Sequence, residues 1–376
     1  MILERAQQLL PLPKNFPPVR TNTVTAQTLA QTFNANADEI AEQLIACFGL
    51  AHSQSVEHLA RPLLRWLDFR LRIIDPRPRT VHLSNRFPKE LDEPYATAFR
   101  KLVEAISIGE DINAFQGKGI VRGDTSGKKR SERTDLLWAD WGIHHLHIAE
   151  APAECEGYFS ARSDFLLFVV FGHDVALLLD IQPHSGDDLR FVREDLIKLV
   201  AQNWPSALEP FELKGTLAPT RTWTETERKK LRASGLDAPL VIDGKVYFSP
   251  GQGVTTASTP GRVTHTMMRL SRNLQALAQQ VLEPDSQFRA ELVAPTQLEG
   301  AFGLELSPKG VILYSKYTDR GWTFPDAKFD GTDSLYAEIA DALTPPWVKD
   351  AIRKSLNPPG TSPKVPQPNT NELKDG

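Results

Sequence analysis

Two nearly continuous apolar runs constrain the fold most: Asp164–Phe171 (DFLLFVVF) and Val175–Ile181 (VALLLDI). A strand with one wet face alternates apolar and polar residues. These runs are apolar at both parities, so they read as central strands covered on both faces. Gly172–His173–Asp174 between them is short enough for a hairpin turn. A sheet covered on both sides needs partners for each face, and the flanking sequence offers them as helices. Apolar residues at helical spacing predict helices over 25–50, 56–74, 91–108, 191–204 and 263–282. A short charged helix is expected over 224–233, opened by the capping pair Thr224 and Glu227.

Further strands are expected over 80–87 and in two hairpins. One is Pro239–Phe248, turned by Asp243–Gly244. The other joins 302–306 to 311–317 across Ser307–Pro308–Lys309–Gly310. The chain is therefore read as α+β: N-terminal helices, a central mainly antiparallel sheet packed with helices, and a C-terminal α+β region. The expected divisions are a Pro-rich arm and helical region at 1–87, a central domain at 88–215 and an accessory domain at 216–356. The Pro-rich tail at 357–376 is expected to be disordered.

Composition removes several functions. A 376-residue chain with 41% apolar and 24% charged residues can bury a sizeable core. Its net charge of −4 argues against binding nucleic acid or membrane with the whole surface, and leaves room for a local basic patch. No apolar run reaches membrane-spanning length, and the N-terminus lacks a signal-peptide pattern. The two cysteines, Cys47 and Cys155, are far apart and form no CxxC, which fits a reducing cytoplasm and rules out a zinc site built from thiolate pairs.

The chemistry concentrates in Asp135–Ile148 (DLLWADWGIHHLHI). Three of the nine histidines, His144, His145 and His147, fall within four positions there. If 143–148 is a strand, Ile143, His145 and His147 share one face, and His144, Leu146 and Ile148 take the other. An imidazole titrates near neutral pH, so it serves as base and acid. Cleavage of RNA by its own 2′-hydroxyl needs those two roles and cationic donors for the phosphorane. Arg162, before the first apolar run, and His184, after the second, complete the candidate catalytic set with His145 and His147. A basic loop upstream supplies Arg122, Lys128, Lys129, Arg130 and Arg133 as candidate RNA contacts. Its glycines do not follow Walker spacing.

Two other readings stay open. The HxH pair His145 and His147 can hold a divalent metal for a metal-dependent hydrolase or nuclease, with Asp135, Asp140, Glu150, Asp180 or His184 as a third ligand. Alternatively the histidines are structural and the protein is a non-enzymatic interaction module or homo-oligomer. The first reading requires no cofactor.

The order of these features carries a resemblance. Helices are followed by Trp141–His147, an Arg-bearing strand from Arg162 to Phe171, a tight turn, and a closing strand from Val175 to Ile181 that ends in Pro183–His184. Over roughly residues 95–185 this resembles the RelE-type toxin ribonucleases. The resemblance implies a ribonuclease of toxin or phage-defence type. By position, His147, Arg162 and His184 match the family's catalytic residues, and His145 is a further candidate.

Overall fold

The computed structural model describes residues 25–149, 158–184, 194–221, 223–236, 238–288, 302–356 and 370–372. The expected Pro-rich arm at 1–20 and Cys155 lie outside them. In chain order the helices are α1 (Ala26–Cys47), α2 (Pro62–Arg72), α3 (Tyr95–Ile108), α4 (Gly119–Arg122), α5 (Leu136–Trp141), α6 (Asp195–Asn203), α7 (Glu225–Ala233), α8 (Gly261–Leu282), α9 (Leu335–Leu343) and α10 (Pro346–Leu356). The strands are β1 (Thr80–Leu83), β2 (Ile143–His147), β3 (Phe165–Phe171), β4 (Val175–Pro183), β5 (Leu240–Ile242), β6 (Lys245–Tyr247), β7 (Phe302–Ser307), β8 (Gly310–Ser315), β9 (Arg320–Thr323) and β10 (Thr370–Glu372). The fold is α+β. No helix among the described residues is long and apolar enough to cross a membrane.

Prolines set two helix starts later than periodicity alone suggests. α2 opens at Pro62 and α3 directly after Pro94. A proline has no N–H to offer the helix interior, yet its fixed φ suits a first turn.

Contacts divide the chain into two compact units that do not follow chain order. One comprises residues 1–50, 61–67 and 265–376, the other 51–60 and 68–264. These units cut across the three successive segments expected from the sequence. The reason lies in long-range apolar burial. α1 buries Phe33, Ile40 and Leu44 and packs on β7. In that unit β7 to β10 form a sheet in the order β10-β9-β8-β7. Thr370–Glu372 pair in parallel with Gly321–Thr323, so these three residues of the supposedly disordered tail are a strand. The rest of the tail lies outside the described residues.

The other unit is built on a sheet of order β1-β4-β3-β2, parallel between β1 and β4 and otherwise antiparallel. The hairpin of β3 and β4 is covered on both faces. One face presents Leu166, Phe168, Leu177 and Leu179 to Leu137 and Trp141 of α5, to Leu196 and Val200 of α6, and to Leu240 and Ile242 of β5. The opposite face presents Leu167, Val169, Ala176 and Leu178 to Ala98, Leu102 and Ile106 of α3. Each such Leu or Phe contributes about 1.5–3 kcal/mol through burial.

The ladder between β3 and β4 contains a bulge. Val169 pairs with Leu178 but Phe168 pairs with Asp180, so Leu179 is the extra residue. A bulge puts two residues of one strand opposite one of its partner and shifts the alternation by one. Before it, the even-numbered Ala176 and Leu178 face α3. Beyond it, Ile181 does. Asp180, Gln182 and His184 therefore point to the face of Leu166 and Phe168.

Candidate functional site

The histidine segment is placed by a short helix and a glycine turn. Asp135 caps α5: its Oδ1 accepts the N–H of Leu137 at 2.9 Å and of Trp138 at 3.2 Å. Gly142 ends the helix at φ +70, a conformation that a side chain would strain, and a Cβ there would lie 3.3 Å from Arg262 Nη2. The chain then enters β2. Its alternation follows the expectation: Ile143 joins the cluster with Leu166 and Phe168, and Leu146 joins the cluster under α3.

His145 and His147 share the Ile143 face. Each ring has a distinct partner. His147 is buried, and its Nδ1 accepts the Ser163 N–H at 3.3 Å. An accepting Nδ1 places the proton of the neutral ring on Nε2. That edge faces Gly117, where an added Cβ would come within 4.0 Å of Nε2. Burial, and then the neighbouring charges of His145, His184 and Arg162, push the His147 pKa down to about 4. The ring is thus neutral at physiological pH and presents an N–H.

His184 stacks on His147, with ring centroids 5.4 Å apart and planes 20° apart. Its backbone N–H extends the ladder to Asp164 O. Arg162 Nη2 lies 3.5 Å from His184 Nε2. The bulge in β4 makes this possible, because unbroken alternation from Leu178 would turn His184 to the α3 side. Three of the four candidate catalytic residues therefore meet on one sheet face.

His145 stands two residues from His147 on that face, and its Nδ1 lies 3.2 Å from Asp135 Oδ2. Burial pushes the Asp135 carboxyl up. The charges of His145, Arg72 and His144 and the Trp138 N–H outweigh this and hold it below the usual carboxylate range. A carboxylate beside Nδ1 favours the tautomer with the proton on that nitrogen and the lone pair on Nε2. His144 points the other way, edge-on to Phe171 at 5.5 Å and to Trp138 at 6.5 Å. Burial pushes its pKa down to about 3. It is a neutral packing residue.

Comparison with family models, curated proteins and solved structures returned no match.

Part of the basic loop is committed to structural contacts. Arg133 is buried and donates to Gly127 O at 2.8 Å and to Ala257 O. Arg130 donates to Ser258 Oγ at 2.9 Å and to Thr256 O. Lys129 pairs with Glu132 at 3.0 Å. The two arginines thus fasten the loop of residues 256–258 by donating to its carbonyls and to Ser258. Arg122, at the end of α4, and Lys128 are exposed.

Of the candidate third ligands for a metal, Asp135 and His184 lie beside the histidine pair, whereas Asp140 and Asp180 are engaged elsewhere. Asp140 is buried against Arg232 and Ser249, and Asp180 accepts from Arg86 at 2.6 Å and Gln182 at 3.0 Å. Glu150 lies outside the described residues. Among the described residues no group of three or more His, Cys, Asp or Glu side chains is gathered in a way that would hold a metal ion.

Sequence reasoning named Asp135 only as a candidate metal ligand, not as the carboxylate beside His145 Nδ1, and it missed Ser163. Ser163 acts through its backbone, which carries no sequence signal.

Proposed function

We propose that this sheet face cleaves RNA phosphodiester bonds without a metal ion. The supporting observation is the convergence of His147, His184 and Arg162, with the Asp135–His145 pair beside them. In this scheme His145 Nε2 removes the proton of a 2′-hydroxyl, and the 2′-oxygen attacks phosphorus. Arg162 and the His147 Nε2–H donate to the non-bridging oxygens as negative charge grows on them. Protonated His184 gives its proton to the departing 5′-oxygen. The new 2′-O–P bond replaces the 5′-O–P bond. The products are a 2′,3′-cyclic phosphate and a 5′-hydroxyl.

A histidine-bearing strand, an arginine-bearing strand and a closing strand ending in histidine follow one another in the order that resembles the RelE-type ribonucleases. That order supports a toxin or phage-defence setting for the activity. The test is incubation of the purified chain with end-labelled single-stranded RNA in the presence of a chelator. Cyclic-phosphate ends are expected, with rates falling about 10²–10⁴-fold in His147→Ala, Arg162→Ala and His184→Ala. Intact RNA, or cleavage undiminished by His147→Ala, sinks the proposal.

A further inference from the structure

A second concave feature belongs to the same compact unit. A cleft of about 350 Å³ is walled by Glu194, Asp195 and Lys198 at the start of α6, by Trp223 and Glu225 at the start of α7, and by Val241 of β5. Trp223 is 40% exposed, whereas Trp66, Trp138, Trp141 and Trp322 are buried. A large aromatic ring turned into a concave, wet space is a stacking platform without a stacked partner from the core. One cation does approach it: the Arg221 guanidinium lies 5.9 Å from the ring centroid.

The charges in the cleft are mostly matched. Glu194 is paired with Arg228 and with Lys198 at 3.0 Å, and Asp195 with Arg86 at 3.1 Å. Arg228 is buried and also donates to Ala238 O at 2.9 Å. Among the described residues Glu225 is the lining carboxylate without an ion pair. A flat occupant that stacks on Trp223 and brings N–H donors for the exposed Glu225 fits this lining. Two adjacent N–H donors suit one carboxylate best, since both oxygens can then accept. Among nucleobases the Watson–Crick edge of guanine has this form, with N1–H beside the N2 amino group.

The cleft also lies alongside the proposed catalytic face. α6 packs on the sheet side that carries Leu166 and Phe168. Arg86 ties Asp195 of the cleft to Asp180 of β4, and Gln182 donates to Asp180. Gln182 pairs with Leu166, which pairs with His147. With strands about 4.8 Å apart and residues two apart along a strand roughly 6.5–7 Å apart, His147 and the cleft wall are separated by about 15–20 Å. A short stretch of single-stranded RNA spans that distance. We infer that the cleft binds a guanine base of an RNA strand by stacking on Trp223 and hydrogen bonding to Glu225. The identity of the polymer rests on the proposed ribonuclease activity. The chemistry of the cleft does not.

The full chain is tested by calorimetric titration with guanosine, inosine and uridine, and separately with a single-stranded RNA octamer on the His147→Ala variant. Guanosine is expected to bind at least tenfold more tightly than inosine, which lacks the N2 amino group, and more tightly than uridine. Trp223→Ala is expected to abolish nucleoside binding and to weaken octamer binding about 5–150-fold, the range for loss of one stacked base. Glu225→Gln is expected to remove the preference for guanosine over inosine. Three results overturn the inference: no guanosine binding to the wild type, unchanged binding in Trp223→Ala, or displacement of guanosine by no nucleoside but by an arginine-rich peptide. If the protein cleaves no RNA but guanosine binds in a Trp223-dependent way, the catalytic reading falls and the cleft stands. If RNA is cleaved and Trp223→Ala leaves nucleoside binding unchanged, the cleft falls alone.

Discussion

Asp135→Asn separates the charge of this side chain from its capping role. Asn accepts the N–H groups of Leu137 and Trp138 as well as Asp does, so the helix start should cost only a few tenths of a kcal/mol. What disappears is a negative charge 3.2 Å from His145 Nδ1. An amide can donate as well as accept at that point. His145 is then free to carry its proton on Nε2, the tautomer that cannot act as base. Loss of a positioned base lowers rates about 10²–10⁴-fold; the ring itself remains, so roughly 10²-fold is expected.

Stability provides the control. The Asp135 carboxyl is held below its usual range. A carboxyl with a depressed folded pKa stabilises the fold above its unfolded value of about 3.9, and that contribution is lost as pH falls through the lower folded value. At neutral pH the Asn substitution should remove about 1 kcal/mol, through loss of the charged contacts that hold the carboxyl low. That corresponds to a melting temperature roughly 2–4 °C lower. Asp135→Ala also removes the cap and should cost about 1 kcal/mol more. The assays are initial rates on labelled RNA and thermal unfolding by circular dichroism. Activity of Asp135→Asn within twofold of wild type refutes the role assigned to the pair.

Three further outcomes are expected. His147 is pushed down to about 4 by burial and its charged neighbours, and His144 to about 3 chiefly by burial. The unfolded chain takes up these protons near pH 6.5, so their stabilisation is complete above that value and is lost as pH falls through the folded values. His144→Gln and His147→Gln should flatten the decline of unfolding free energy between pH 7 and pH 4 in urea titrations, and an unchanged slope contradicts neutral buried rings. Phe168→Ala, in the fully buried centre of β3, should cost about 3–5 kcal/mol by the same titrations, and a loss below about 1 kcal/mol contradicts its place in the core. Arg133→Ala should cost about 1–3 kcal/mol by leaving the carbonyls of Gly127 and Ala257 unpaired; Lys128→Ala, on an exposed side chain, should leave stability unchanged.

Local pattern disclosed much of this arrangement. The apolar runs of β3 and β4 announced a sheet buried on both faces, the Asp243–Gly244 pair announced the β5–β6 turn, and alternation separated His144 from His145 and His147. Three features were hidden for physical reasons. Long-range burial unites α1 with β7, and no local periodicity encodes which distant strand a helix will cover. The donors of Arg130 and Arg133 are committed to carbonyls more than 120 positions away, so a run of cations looked available when part of it is structural. The third is the parity of His184. The proposed chemistry requires it to fold back onto His147, but simple alternation along β4 gives it the wrong side.

The extra residue Leu179 makes β4 a strand of two halves. From Ala176 to Leu179 every side chain answers to one of two hydrophobic layers. From Asp180 onward one side leaves the hydrophobic layers and carries Asp180, Gln182 and His184 on the face shared with His145 and His147. Core and chemistry are thereby written on successive lengths of one strand instead of on its alternate positions. Substitutions in the first length are tested by stability, and those in the second by what the open face can do. A single residue gained or lost beyond Leu179 would exchange Gln182 and His184 for their neighbours on that face while leaving the hydrophobic half of the strand as it is. The position of a proposed catalytic group is thus held by an odd-or-even count, kept at one leucine.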